Sequence, residues 1–471
     1  MKKFKIYALL LLTAAVVMSC DEDLNLEPEQ DLSTNAAFED ENTTRASLAG
    51  VYSRMQDLQV WGSQPQVINE YMADNVRFVG SFPTLQDINS YVTLADNLTI
   101  LSIWRDHYRV VLAANAVIEF TPDVDVAGFE ESEKAQIIAE ATALRALAYF
   151  NLVNLFAQPY TLDNGASLGV PIVLRPNILL DEATFPSRST VAEVYAQIES
   201  DLNAIIDDLP SGAGNPGFVS KGAIHAFLSR VHLYKGEWDD AATQASNALA
   251  EGHEIASDYS FFNTSNLENI FVISNSAIDN GRTGAGGWAS YYQPGSLGGR
   301  GDAPFSEDLL AAYEDGDLRF ENLNIEGVDA SGLAAVFTLK FPDAINNSDD
   351  SPVFRATEMY LNRAEGLVAS KDEIDPEAIS LINELRLRAG LSEYTADDFA
   401  SAEELLEAIR TERRKELAFE GHRRPDLLRI GEPLRADQPD ITAPGSDKVI
   451  LPIPQQEIDV NSNLDQNPGY E

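Results

Sequence analysis

From Ser132 to Phe156 the chain carries Ile137, Ile138, Ala141, Leu144, Leu147, Ala148, Phe150, Leu152 and Phe156 at helical spacing. An apolar stripe this broad has to be covered by neighbours, so it predicts a long helix inside a helical scaffold. Ser132 and Glu133 mark its start, and Pro159 stops it. Further helices are predicted over Ile103–Phe120, ended by Pro122, and over Thr190–Leu209, closed by Pro210.

Two blocks read as helical pairs. Lys221 to Glu251 gives a helix, a Gly236-Glu237-Trp238 turn and a second helix, with Gly236, Ala241, Ala248 and Leu249 at the offsets of a tetratricopeptide repeat. Small residues there let two helices approach closely. Ala356 to Ala389 repeats the plan, with a turn near Pro376. Between the helical blocks lie two loop-rich insertions, near 57–102 and 259–355. The first holds Trp61, Tyr71, Phe78, Phe82 and Tyr91 among turn formers. The second holds the strand-like run Ile270–Ile273 and a Gly-rich stretch that leads into Trp288, Tyr291 and Tyr292. The expected fold is therefore mostly α: a tetratricopeptide-like scaffold of helical pairs with long irregular insertions and a few short strands. Loops this long and this aromatic are expected to be functional.

Composition narrows the partners. The formal charge is −42, from 33 Lys+Arg and 75 Asp+Glu. Nucleic acid and anionic headgroups need a basic surface, so neither is an expected partner. With 44% apolar residues the chain can bury a sizeable core. Its one cysteine, Cys20, excludes an internal disulfide and a Cys-based zinc site.

The N-terminus accounts for Cys20. Lys2, Lys3 and Lys5 precede the apolar run Ile6–Met18. A spanning helix needs ~20 apolar residues, so this shorter run reads as a secretory signal, residues 1–19. Val17-Met18-Ser19-Cys20 looks like a bacterial lipobox, which would make Cys20 the lipidated first residue of the mature protein. Asp21-Glu22-Asp23, Glu27, Glu29 and Asp31 follow, giving an acidic tether over 20–35 that resembles the export tag of Bacteroidetes surface lipoproteins.

Catalytic and metal motifs are mostly missing. His225 and His232 share one predicted helix but stand two turns apart, too far for one metal. Neither a G-x-S-x-G elbow nor a P-loop occurs. Asp123-x-Asp125-x-x-Gly128 starts like a calcium loop, but Lys134 stands where the closing Glu belongs. Arg300-Gly301-Asp302 carries no weight as a tripeptide. With 75 carboxylates, spacing alone cannot single out an acid/base pair. No catalytic residue, metal or cofactor is expected.

The C-terminal part is the most specific. It reads Ile409-Arg410-Thr411-Glu412-Arg413-Arg414-Lys415-Glu416-Leu417-Ala418-Phe419-Glu420-Gly421-His422-Arg423-Arg424-Pro425-Asp426-Leu427-Leu428-Arg429, and later Leu451-Pro452-Ile453-Pro454 and Asn467-Pro468-Gly469-Tyr470. With Gly50-Val51-Tyr52, Arg145-Ala146-Leu147-Ala148-Tyr149-Phe150 and Asp317-Leu318-Arg319, these stretches resemble the SusD/RagB family of Bacteroidetes outer-membrane lipoproteins. Pro425, where an aromatic is common, and Ala157-Gln158, in place of a frequent Gly-Asp, are small departures. Taken as residues, the charges of this block predict i,i+4 pairs and Arg–carboxylate forks that hold the helix exit.

The resemblance implies a single SusD-like domain over 36–471. It also implies a non-enzymatic, lipid-anchored binding protein on the outer face of the outer membrane, capturing oligosaccharide and capping a SusC-like TonB-dependent transporter. A peptide-binding RagB-like protein and a surface glycoside hydrolase are the alternatives.

For the ligand, rings that cover flat sugar faces are the natural candidates. Two or three rings at roughly 1.5–3 kcal/mol each reach the ~4–8 kcal/mol of millimolar-to-micromolar binding. Trp288, Tyr291 and Tyr292 are placed on one wall, with Trp61 and Tyr71 facing them and Asp74, Asn75 and Arg77 as polar partners. Trp104 and Trp238 lie in helical patterns and are expected in the core.

Overall fold

The computed structural model describes residues 34–176, 185–263, 266–281 and 286–470. The signal segment, Cys20 and nearly all of the acidic tether fall outside the described residues.

In chain order the principal helices are α1 (Glu41–Met55), α2 (Gln64–Tyr71), α3 (Leu98–Phe120), α4 (Glu131–Phe156), α5 (Val191–Ile205), α6 (Lys221–Lys235), α7 (Trp238–Ala250) and the short α8 (Trp288–Tyr292). Then come α9 (Ala356–Lys371), α10 (Pro376–Arg388), α11 (Ala402–Leu417) and α12 (Arg423–Arg429). The described strands are few: β1 (Asn269–Ile273) pairs antiparallel with β4 (Ser351–Arg355), and β2 (Asn324–Val328) pairs antiparallel with β3 (Ala334–Thr338).

The long stripe behaves as its breadth requires. Helix α4 is packed by α1, α3 and α5, and it is buried on most of its circumference from Ala139 to Phe156. Its first turn is held by the Glu133 carboxylate, which accepts the Glu130 N–H at 3.3 Å. Asn97 caps α3 by accepting from the N–H groups of Thr99 and Ile100, and Thr190 caps α5 by accepting from that of Glu193.

Both helical pairs are present. Helix α6 ends at Gly236, whose φ of +77° is the left-handed conformation a glycine tolerates, and α7 returns against α6. Ala241 and Ala248 are fully buried between the helices. Helix α9 also packs on α7. A Cβ added at Gly366 would lie 2.5 Å from the Trp238 carbonyl oxygen, so this approach depends on glycine.

The two insertions hold more regular structure than the sequence reading gives them. Residues 57–102 contain α2 and the helix Pro83–Asn89, and α8 lies in 259–355. Pro65 and Pro83 stand in the first turn of their helices, where a proline costs nothing because its missing N–H would have had no partner. Among turn formers, the same prolines read as breakers.

One apolar cluster runs from Leu48 to Leu464, and a second joins α9, α10 and α11. The charged block on α11 and its exit is structural, but it pairs across the fold more than along the helix. Glu412 binds Arg319 at 2.5 Å and Arg386 at 2.8 Å; Glu416 binds Arg388 at 3.0 Å; Glu420 binds Arg355 and Lys340 at 2.8 Å. The local contribution comes from Lys415–Glu412 and Arg429–Asp426, both i,i+3. No i,i+4 pair joins residues of this block among the described contacts. The physical reason is burial: the inward face of α11 meets other elements, and those elements supply the cations.

Candidate functional site

The two insertions face each other. Asp57 bridges to Gly281, and Val76 to Phe305. The N–H of Arg77 donates to the Pro304 carbonyl at 3.0 Å and that of Val79 to the Asp302 carbonyl at 2.8 Å. Gly80 lies so close beneath this seam that an added Cβ would fall 2.7 Å from the Asp302 carboxyl carbon.

Along the seam runs a groove of about 630 Å³. One wall comes from Leu58, Gln59, Gln64, Ser81 and Phe82; the floor comes from Thr84, Leu85 and the start of α3 at Leu98, Thr99 and Ser102. The other wall comes from Gly286, Tyr291, Arg300, Asp302 and Ala330. The floor is fixed by hydrogen bonds: Asn97 Nδ2 donates to the Thr84 carbonyl at 3.0 Å, and the Thr84 and Thr99 hydroxyls meet at 2.8 Å. Phe82 keeps 54% of its surface exposed at the rim. Arg300 lies between two rings, its guanidinium carbon 5.2 Å from the Phe82 centroid and 4.9 Å from that of Tyr291, with Nε 2.7 Å from Asp302 Oδ2. Burial pushes the Asp302 carboxyl up, and Arg300 opposes that shift. Burial likewise raises the Tyr291 phenol.

Most of the residues expected to bind sugar do other work. Tyr291 is the expected aromatic that lines the groove, although it is 2% exposed. Its ring meets Tyr71 edge to face at 6.4 Å, so the expected opposition of the two insertions exists as packing. Trp288 is buried, stacked on Phe341 at 4.5 Å, with Nε1 donating to Ser351 Oγ at 2.7 Å. Tyr292 is buried edge-on to Phe419, and Tyr71 is buried in α2. Trp61 is buried and donates to the Pro352 carbonyl at 3.0 Å. The expectation of open ring faces at Trp61, Tyr71, Trp288, Tyr291 and Tyr292 is therefore corrected. Trp61 ties the first insertion to the second, Tyr71 meets Tyr291 across the seam, Trp288 packs within its own insertion, and Tyr292 reaches the scaffold at Phe419, because a large apolar face is worth more in the core than in water.

The polar candidates are engaged as well. Asp74 forms a fork with Arg423 at 2.6 and 2.8 Å and also meets Arg414. Asn75 is buried, donating to Glu70 at 2.9 Å and accepting from Arg414 at 2.8 Å. Arg77 reaches Asp329 at 2.7 Å, one residue from Ala330 of the groove wall, and stays 41% exposed. Trp104 is buried as expected, whereas Trp238, also expected in the core, is half-buried and packs against it.

Sequence reasoning missed Phe82 and Arg300. Phe82 stands before Pro83, so it caps a helix start and is held outward. Arg300 sat in a tripeptide of no weight. One further cluster, Glu199, His232 and Glu237, brings three ligand atoms together, but the Lys235 ammonium lies 2.6 Å from Glu199 and 2.8 Å from Glu237 and already neutralises it.

The architecture is a mostly helical scaffold of repeat-like pairs that carries a groove between two insertions. Known proteins specify it further. The family model described as "SusD family" matches residues 337–470, and that described as "Starch-binding associating with outer membrane" matches 24–233. The chain belongs to the SusD/RagB family. It is 26% identical to SusD-like protein P38 of Formosa agariphila over the whole of both chains. A SusD superfamily protein of Bacteroides thetaiotaomicron, solved as a crystal structure, superposes with a TM-score of 0.80 at 28% identity, covering 91% of this chain and 99% of its own. A laminarin-binding SusD-like protein superposes with a TM-score of 0.75 at 26% identity, covering 92% and 100%.

Proposed function

We propose that this protein is a non-catalytic, lipid-anchored binding protein of the outer membrane that captures an oligosaccharide in the groove between its insertions. In this reading Cys20 carries the lipid, residues 20–35 form the tether, residues 36–471 form one binding domain facing the cell exterior, and a SusC-like TonB-dependent transporter receives the glycan. The observation that carries the reading is the groove itself, in a chain of this family: an exposed ring at Phe82 with hydroxyl and amide side chains around it. Rings cover C–H faces while hydroxyls and amides meet sugar hydroxyls. The described lining carries one carboxylate, Asp302, where glycoside hydrolysis takes a pair.

The test is calorimetry of the soluble form against a panel of oligosaccharides, with Phe82→Ala and Trp288→Ala beside the unaltered protein. Phe82→Ala should weaken binding and leave the melting temperature in place. Trp288→Ala should lower the melting temperature, since its ring fills the core. Unchanged affinity in Phe82→Ala would remove the groove as the glycan site.

A further inference from the structure

We infer that the groove takes an acidic oligosaccharide, one bearing uronate carboxylates, and that Arg300 is the residue that reads the carboxylate. This rests on the glycan reading above and adds the class of sugar.

Three observations carry it. The first is the setting of Arg300. Its guanidinium is flanked by the Phe82 and Tyr291 rings at 5.2 and 4.9 Å, and Asp302 lies 2.7 Å from Nε. The two rings and the Asp302 carboxylate beside Nε hold the cation in place. The guanidinium also hydrogen-bonds the Tyr291 hydroxyl, and its side chain keeps 18% of its surface open to the groove, where the donors left over can meet a carboxylate. A cation held this way loses little freedom when it binds, so its hydrogen bonds are made at low entropic cost.

The second is what the groove lacks. The chain has 75 Asp+Glu, yet Asp302 is the one carboxylate among the described lining residues, and it is spent on Arg300. The other polar lining residues are Ser, Thr and Gln, which meet sugar hydroxyls, so the lining leaves no free anion to repel an acidic ligand.

The third is the position of the cation. Phe82 is 54% exposed beside Arg300, so a sugar ring seated on Phe82 brings its substituents to the guanidinium. The net charge of −42 does not forbid the approach. The field of an exposed charge decays over about 8 Å at physiological ionic strength, which mutes the distant carboxylates and leaves a hydrogen-bonded contact intact.

The test compares tetrasaccharides derived from alginate and from polygalacturonate with their carboxyl-reduced forms. A laminarin-derived tetrasaccharide serves as the neutral reference, and calorimetry is run at physiological ionic strength. Reduction of the carboxyls should weaken binding roughly 10- to 100-fold for the oligomer that fits, the range of a hydrogen-bonded charge. Arg300→Met, made together with Asp302→Asn so that no stranded carboxylate is left in the groove, should shrink that difference to within about twofold. Equal affinity for acidic and reduced sugars in the unaltered protein, a comparison that needs no variant, overturns the inference. A loss of the same size for both forms in that double variant also overturns it, since Arg300 would then be only a platform. Binding of the laminarin oligomer without either uronate overturns the acidic class and leaves the glycan reading standing. Binding of none of the probes counts against both.

Discussion

Glu412 is fully buried with three cations around it, Arg319, Arg386 and Lys415, the last two at 2.8 Å. Burial pushes its carboxyl up, but Arg319 and Lys415 more than offset this and hold it below the usual carboxylate range. Such a group matters chiefly through what its removal strands. Glu412→Ala leaves Arg319 short of one of its three acid partners and should cost roughly 3–5 kcal/mol, read as a shift of the urea midpoint at unchanged slope. Glu70 has no such cation in hydrogen-bond range. Burial raises it to about 7 from 4.5, against hydrogen bonds from Asn75 and the Gly421 N–H. Its folded value lies above its unfolded one. The stability it contributes is therefore complete below about pH 4.5 and is lost as the pH rises through 7, by roughly 3 kcal/mol at most. Glu70→Gln should remove that part of the slope, so the variant gains on the unaltered protein between pH 5 and pH 8. A difference between the two that does not change with pH would show that Glu70 is already ionised. Glu416 runs the other way. Burial raises it, but Arg388, Arg319 and Arg355 bring it down to about 2, so its contribution is present above pH 4.5 and lost on acidification.

At the scale of elements, the scaffold depends on close helix approach. Gly366 of α9 faces the Trp238 carbonyl and Ala242 of α7, at 2.5 and 3.0 Å from where a Cβ would sit. Backbone cannot move aside as a flexible side chain can. Gly366→Val should therefore force α7 and α9 apart at a cost of about 1–3 kcal/mol, measured by denaturant unfolding, with helix content by circular dichroism preserved below the transition. The same physics explains the insertions. Their aromatic side chains bury against one another and, at Tyr292, against the scaffold, so the groove is left to the few side chains the packing does not consume.

For the whole molecule, many of the cations are drawn inward. Arg230, Arg319, Arg355, Arg386, Arg388, Arg413, Arg424 and Arg429 are all buried, so the surface is more one-sidedly acidic than the composition. No helix of the described residues is long and apolar enough to cross a membrane. The proposed attachment is the lipid on Cys20. Cys20→Ala should abolish labelling by a fatty-acid analogue and move the protein from the membrane to the soluble fraction. Retention on membranes would place the attachment elsewhere. Mild detergent extraction of the unaltered protein should bring down a large TonB-dependent barrel with it.

Helix content, the paired helices around Gly236 and Pro376, strand β1 and the family were legible in the sequence. Those signals are local: apolar spacing along one helix, a turn residue where a turn must be, and a charged block in fixed order. The partners of that block were not legible, because Glu412 finds Arg319 and Arg386 only when α10, α11 and the segment before β2 come together. Nor were the side chains that line the groove. An aromatic in a long insertion has the same local context whether it faces solvent or core. Trp288 and Phe82 both follow turn-forming stretches, yet one meets Phe341 in the core and the other keeps an open face. Burial is a property of what arrives from elsewhere in the chain, so the tertiary structure alone decided which rings became scaffold and which were left for a ligand.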